Sequence, residues 1–167
     1  MNALSVSLLA ALLLMLNGCG EKASDNKTET ASPAALEKVS NPEEKFAKLR
    51  KEAESGNVDA QNNLGWIYLN GHGAAKDYQE SIKWYRMAAA QGNASAQFTL
   101  GKMYNSGQGV ELDHMRAQMW LNLAAAKGNS EAQQVRDLAA GHLTPTQVLK
   151  AKKMAQDCES SNFNKCG

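Results

Sequence analysis

From about residue 42 onward, apolar side chains recur every three or four positions with polar ones between them. This is the spacing of one face of an α-helix. Ala60, Leu64, Ile67 and Tyr68 form one such stripe, and Ile82, Tyr85, Met87 and Ala89 form another. Earlier in the chain Phe46, Leu49 and Ala53 share a face, and near its end Val148, Leu149 and Met154 do the same. Glycines punctuate the stripes. Gly71 and Gly73 fall where the first helix must end and the chain reverse, and a residue free to take positive φ suits that turn. Asp77 is placed to cap the second helix, with Glu80 three residues on completing a capping box. The pattern predicts an all-α protein of antiparallel helix pairs.

The pairs are copies of one unit. Gly56 to Gln91 set over Gly92 to Lys127 agree without a gap at 14 positions, among them Asn57/Asn93, Gln61/Gln97, Leu64/Leu100, Gly65/Gly101, Tyr68/Tyr104 and Trp84/Trp120. A third copy begins at Gly128, Asn129, Ala132 and Gln133. A fixed period of this size marks a stacked, solenoid-like array. Gly65 and Gly101 lie inside helices, where glycine costs up to about 1 kcal/mol relative to alanine, so close helix approach is expected there. Small Ala60, Ala89, Ala96 and Ala125 are expected to line the same contact.

The string Ala-x-x-x-Leu-Gly-x-x-Tyr-x-x-Gly-x-Gly, followed by Asp, Trp and Ala-Ala-x-x-Gly, resembles the Sel-one-like repeat, a relative of the tetratricopeptide repeat. Leu121 stands where that pattern has tyrosine after tryptophan, and Ala74 where it has valine. The resemblance implies a short α-solenoid serving as an adaptor in signalling or envelope assembly. It also leaves open two other roles, a passive structural envelope lipoprotein and a penicillin-binding or β-lactamase-like repeat protein. Exported members described in the last role carry a disulfide in each repeat, and this chain has no cysteine between Gly56 and Lys127.

The domain expected from these signals spans 42–167. It comprises a capping helix 42–55, repeats 56–91 and 92–127, a partial third repeat 128–141, and a C-terminal helix and tail 142–167. Asn41 and Pro42 supply a cap and a first-turn proline for the capping helix, and Thr144, Pro145 and Gln147 do the same for the last one. A terminal helix of this kind covers the open face of the adjoining repeat.

Upstream, Leu4 to Leu16 is nearly all apolar, the length of a signal-peptide core and short for a membrane span. Leu16-Asn17-Gly18-Cys19 resembles a bacterial lipobox, which implies cleavage after residue 18 and a lipid on Cys19. Gly20 in place of a retaining aspartate then favours the periplasmic leaflet of the outer membrane. The stretch 19–41 is rich in Lys, Glu, Ser and Thr without apolar periodicity and reads as a disordered tether. Ser24-Asp25-Asn26-Lys27 overlaps two strings of penicillin-interacting enzymes, but those need a rigid helix and a separate strand.

Composition narrows the possibilities. A formal net charge of +1 with scattered Lys and Arg argues against nucleic-acid binding. His72, His114 and His142 are isolated in sequence, no serine occupies a nucleophile elbow, and no glycine string has phosphate-loop spacing. No catalytic constellation, metal or cofactor is expected. Cys158 and Cys166 are expected to pair in an exported protein.

Function must then lie in what differs between copies. In tetratricopeptide-like stacks the first helices line a concave groove. Carried over relative to the Leu-Gly pair, this puts Asn62, Trp66 and Asn70 in the groove from the first copy, Phe98, Lys102 and Ser106 from the second, and Gln134 and Leu138 from the third. Trp66 and Phe98 are the expected anchors for an unidentified protein or peptide partner, since aromatics are enriched at interface hot spots.

Overall fold

The computed structural model describes residues 41–163 and Cys166. The apolar N-terminal run, Cys19 and the tether lie outside the described residues. Seven helices follow one another: α1 (Pro42–Glu54), α2 (Val58–Asn70), α3 (Tyr78–Ala90), α4 (Ala94–Ser106), α5 (His114–Ala126), α6 (Ser130–Ala140) and α7 (Pro145–Ser160). Among the described residues there is no strand. The all-α solenoid predicted from the spacing is the fold observed.

Local chemistry sets the helix ends. Asn57, Asn93 and Asn129 each accept a hydrogen bond at 2.9 Å from the backbone N–H three residues on, at Ala60, Ala96 and Ala132. Each thereby satisfies a donor that the first turn leaves without a partner. Asp77 accepts from the N–H groups of Gln79 and Glu80, and Asp113 from that of Arg116. The expected capping box at Glu80 does not close, because its carboxylate is drawn instead to Lys83 Nζ at 3.2 Å. At Thr144 the box does form with Gln147. Helices α2 and α4 end on left-handed Gly71 (φ 77°) and Gly107 (φ 67°).

Packing runs between neighbours: α1 on α2, α2 on α3, α3 on α4, α4 on α5, and α5 on α6. The intrahelical glycines serve the contact inside each repeat. A Cβ on Gly65 would stand 2.7 Å from the Tyr85 ring, and one on Gly101 would stand 2.7 Å from Leu121 Cγ. Tyr85 and Leu121 are the same repeat position. The alanines, expected at that contact, lie elsewhere: Ala53 with Ala60, Ala89 with Ala96, and Ala125 with Ala132 share buried clusters at the junctions between successive pairs. The buried Gln61 and Gln97 cross the same junctions, donating through Nε2 to the carbonyls of Ala53 (3.0 Å) and Ala89 (3.2 Å). Glutamine at this recurring position ties each pair to the helix before it.

The two ends of the stack are finished differently. Phe46 and Leu49 of α1 pack with Ile67 and Tyr68 against buried Leu64 and Trp84, and all four remain half-buried. At the other end α7 packs on α5 and makes at most a marginal contact with α6. Its buried face is Ala151, Ala155 and Cys158, while Leu149, expected to face the stack, is exposed. Met87 is likewise exposed rather than in the stripe of α3. In both cases a pair four residues apart, Ala151/Ala155 and Tyr85/Ala89, defines the buried face.

The third copy departs from the first two at this end. Arg136 occupies the position of Leu64 and Leu100, and Asp137 that of Gly65 and Gly101. No second helix presses on α6 as α3 and α5 press on α2 and α4, so neither a buried leucine nor a glycine gap is required.

Candidate interaction surface

The first helices of the three copies, α2, α4 and α6, present the residues singled out from the sequence in two main rows and part of a third. One row is Asn62, Phe98 and Gln134, the next Trp66, Lys102 and Leu138, and the third Asn70 and Ser106. Positions four apart on each helix lie one turn above one another, and the repeat period aligns the rows across helices.

All three residues of the middle row are exposed. Trp66 keeps 49% of its surface and Leu138 75%, with Lys102 exposed between them in sequence order. Trp66 is held in place by its surroundings: its ring stacks on His72 with centroids 5.0 Å apart, and its carbonyl accepts from Asn70 Nδ2 at 2.9 Å. Ser106 Oγ similarly donates to the carbonyl of Lys102. These polar side chains turn back on their own helices and partly satisfy themselves there.

Phe98 behaves differently from Trp66. It is half-buried and packs with Leu121, Ala124, Ala125, Ala132 and Val135, between its own pair and α6. The position is therefore part of the core, and its remaining exposed face lies under Lys102, whose Nζ stands 5.2 Å from the ring centroid. Asn62, at the equivalent position in the first copy, is half-buried, and its Oδ1 has no hydrogen-bond partner. Gln134 is exposed.

The structure brings together two histidines that look isolated in sequence. His114 and His142 stack with ring centroids 4.6 Å apart, and His114 Nδ1 lies 3.0 Å from Asn105 Oδ1. Contact between the start of α5 and the turn after α6 leaves no sequence-local signal. Among the described residues, no group of three or more His, Cys, Asp or Glu side chains is arranged to hold a metal ion. Burial pushes the Tyr85 hydroxyl up to about 12, with a hydrogen bond to Thr99 opposing the shift. This is a property of the core. Cys158 and Cys166 form a disulfide with Cα atoms 4.8 Å apart.

Comparison with known proteins agrees with this geometry. The family model described as Sel1 repeat matches residues 58–93 and 94–129, the same period with its start two residues later than the sequence comparison placed it. Among curated proteins none matches significantly. A Sel1 repeat protein from Oxalobacter formigenes is similar in structure with a TM-score of 0.52 and 34% identity, over 68% of this chain and 98% of that one. A protective antigen present in uropathogenic Escherichia coli strains, displaying an SLR fold, is similar with a TM-score of 0.67 and 33% identity. That match covers 72% of this chain and 27% of the antigen, so the chain spans about a quarter of the antigen's length. Two matched repeats, helix pairs closed on recurring glycines and likeness across nearly the whole of a solved repeat protein lead to one conclusion: the chain belongs to the Sel1 repeat family.

Proposed function

We propose that this chain is an adaptor anchored in the cell envelope, which binds a protein partner through the exposed row on α2, α4 and α6. Sel1 repeat proteins generally mediate protein–protein interaction on a non-catalytic scaffold. The observation that carries the reading is the middle row. A tryptophan 49% exposed and a leucine 75% exposed occupy equivalent positions on parallel copies, with a lysine at the same position between them. Large apolar groups aligned in this way on a rigid scaffold supply an anchor for a partner's apolar side chains, and Lys102 supplies charge selection. Support for the envelope placement comes from the sequence, where Leu4 to Leu16 and Leu16-Asn17-Gly18-Cys19 resemble a lipoprotein signal.

Cross-linking capture from intact cells tests the row. Trp66→Ala and Leu138→Ala should remain folded by circular dichroism and lose partner capture, each by about 1 to 4 kcal/mol where the residue is an anchor. Lys83→Ala, on a second helix, should bind as wild type. A folded Trp66→Ala/Leu138→Ala double variant with undiminished capture would move the site elsewhere. The anchor is tested separately: wild type should partition with membranes and carry a lipid-modified N-terminal Cys19 by mass spectrometry, and Cys19→Ser should not. Nitrocefin hydrolysis by the purified protein would replace the adaptor reading with an enzymatic one.

A further inference from the structure

A pocket of about 220 Å³ lies at the first junction of the stack, between α1 and the turn that follows α2. Its walls include Pro42 and Phe46 of α1, Ile67 of α2, and His72 and Gly73 of the turn. Pro42, His72 and Gly73 are exposed, so the mouth is open to solvent. A space of about 150 Å³ with apolar walls is enough to hold benzene.

The repeat itself shows what fills this place. One period on, Pro42, Phe46, Ile67, His72 and Gly73 become Tyr78, Ile82, Met103, Gln108 and Gly109. At that second junction the tyrosine closes on the glycine turn: a Cβ on Gly109 would stand 2.5 Å from Tyr78 Cβ and 3.1 Å from its Cγ. Gln108 Nε2 donates to the Tyr78 hydroxyl at 3.2 Å. A Cβ built on Gly73, by contrast, would meet nothing within 4 Å. The third junction has an aromatic of its own. His114, one period beyond Tyr78, stacks on His142 in the turn after α6, with ring centroids 4.6 Å apart. Two junctions thus set an aromatic ring from the start of one helix against the turn of the next copy, and at the first junction Pro42 supplies none.

We propose that the first junction receives the side chain of a tyrosine from a partner polypeptide, seated where Tyr78 sits one repeat later. His72, in the place of Gln108, is the group that meets the hydroxyl. Residues 1–40 contain no Phe, Tyr or Trp, so the upstream part of this chain has no such ring to offer. The other side of the pocket's wall belongs to the exposed row, since His72 stacks on Trp66 with centroids 5.0 Å apart. That the occupant is a polypeptide rests on the protein-binding reading above, and that it is aromatic rests on the repeat alone.

The test titrates the full-length protein with acetylated, amidated tripeptides Gly-X-Gly, where X is Tyr, Leu or Ala, and follows backbone amide signals by NMR. The tyrosine peptide is expected to shift His72 and Gly73 and to bind about tenfold or more tighter than the alanine peptide, the gain from burying a ring. Leucine should fall between them. Pro42→Tyr restores the residue of the next copy, fills the pocket from within and should abolish these shifts, whereas Pro42→Ala should bind as wild type. Equal binding of the tyrosine and alanine peptides, shifts confined to other residues, or undiminished binding by a folded Pro42→Tyr overturns the proposal. A leucine peptide that binds at least as tightly as the tyrosine one overturns the aromatic class. Leu138→Ala removes part of the exposed row and no wall of this pocket, so it should bind the tyrosine peptide as wild type; loss of binding there would place the peptide on the row instead. Conversion of a wild-type dimer to a monomer in Pro42→Tyr, read by light scattering, would make the occupant a second copy of this chain and overturn the separate partner.

Discussion

Gly65 and Gly101 are the residues on which the helix pairs close. A side chain at Gly101 would have to share space with Leu121 Cγ and Cδ2, both within 2.9 Å of a Cβ built there. Gly101→Val should cost about 1 to 3 kcal/mol by overpacking. Lys102→Ala, one residue on and exposed, should stay within about 0.5 kcal/mol. Urea denaturation of both variants checks this, and equal midpoints would refute the close contact. Tyr85, packed against Gly65, carries a second consequence. Its hydroxyl lies near 12 in the fold against 10.0 unfolded, so between those values the folded state holds the proton more tightly. Stability from this group is complete below pH 10 and is lost as pH rises toward 12. The loss should reach on the order of 1 kcal/mol by pH 11. Tyr85→Phe, compared with wild type by urea unfolding at pH 8 and pH 11, should show a smaller alkaline drop. Equal drops would mean that Tyr85 does not contribute.

Among the elements, α7 is the one that departs from the repeat. Its face is Ala151, Ala155 and Cys158, it lies on α5, and its far end is tied down by Cys158–Cys166. Closing a loop this short stabilises by about 2.5 kcal/mol on the chain-entropy account. Reduction should therefore lower the thermal midpoint, and thiol alkylation without reductant should label neither cysteine of the pair. Full labelling of both in the native protein would show the bridge open. Helix α4 illustrates a different division of labour. Its Ala96, Leu100 and Gly101 face inward, Lys102 faces outward, and Phe98 is wedged toward α6, so Phe98→Ala should cost stability where Trp66→Ala does not.

Over the whole molecule, stability is a chain of nearest-neighbour contacts, each pair resting on the next. Among the described residues helix α1 packs on α2, and its Phe46 and Leu49 cover Leu64 of α2 and Trp84 of α3. Deleting residues 42–54 should weaken α2 and α3 first. Hydrogen exchange should then show faster exchange there while α4 and α5 stay protected, and uniform loss across all helices would mean one cooperative unit instead. The helices, their caps and the period were legible in the sequence by itself, because a helix bonds residues four apart, Asn and Asp caps act within three residues, and each signal was written at least twice. The Leu-Gly pair also announced a close contact, although not that its partners would be Tyr85 and Leu121. Tertiary structure alone decided the rest. Phe98 became core while Trp66 stayed exposed, because what lies beside each is set by a neighbouring helix rather than by its own. His114 met His142, and α7 settled on α5 rather than α6. Those outcomes depend on residues far apart in sequence and on the way one helix leans on another, which no local pattern of apolar and polar positions encodes.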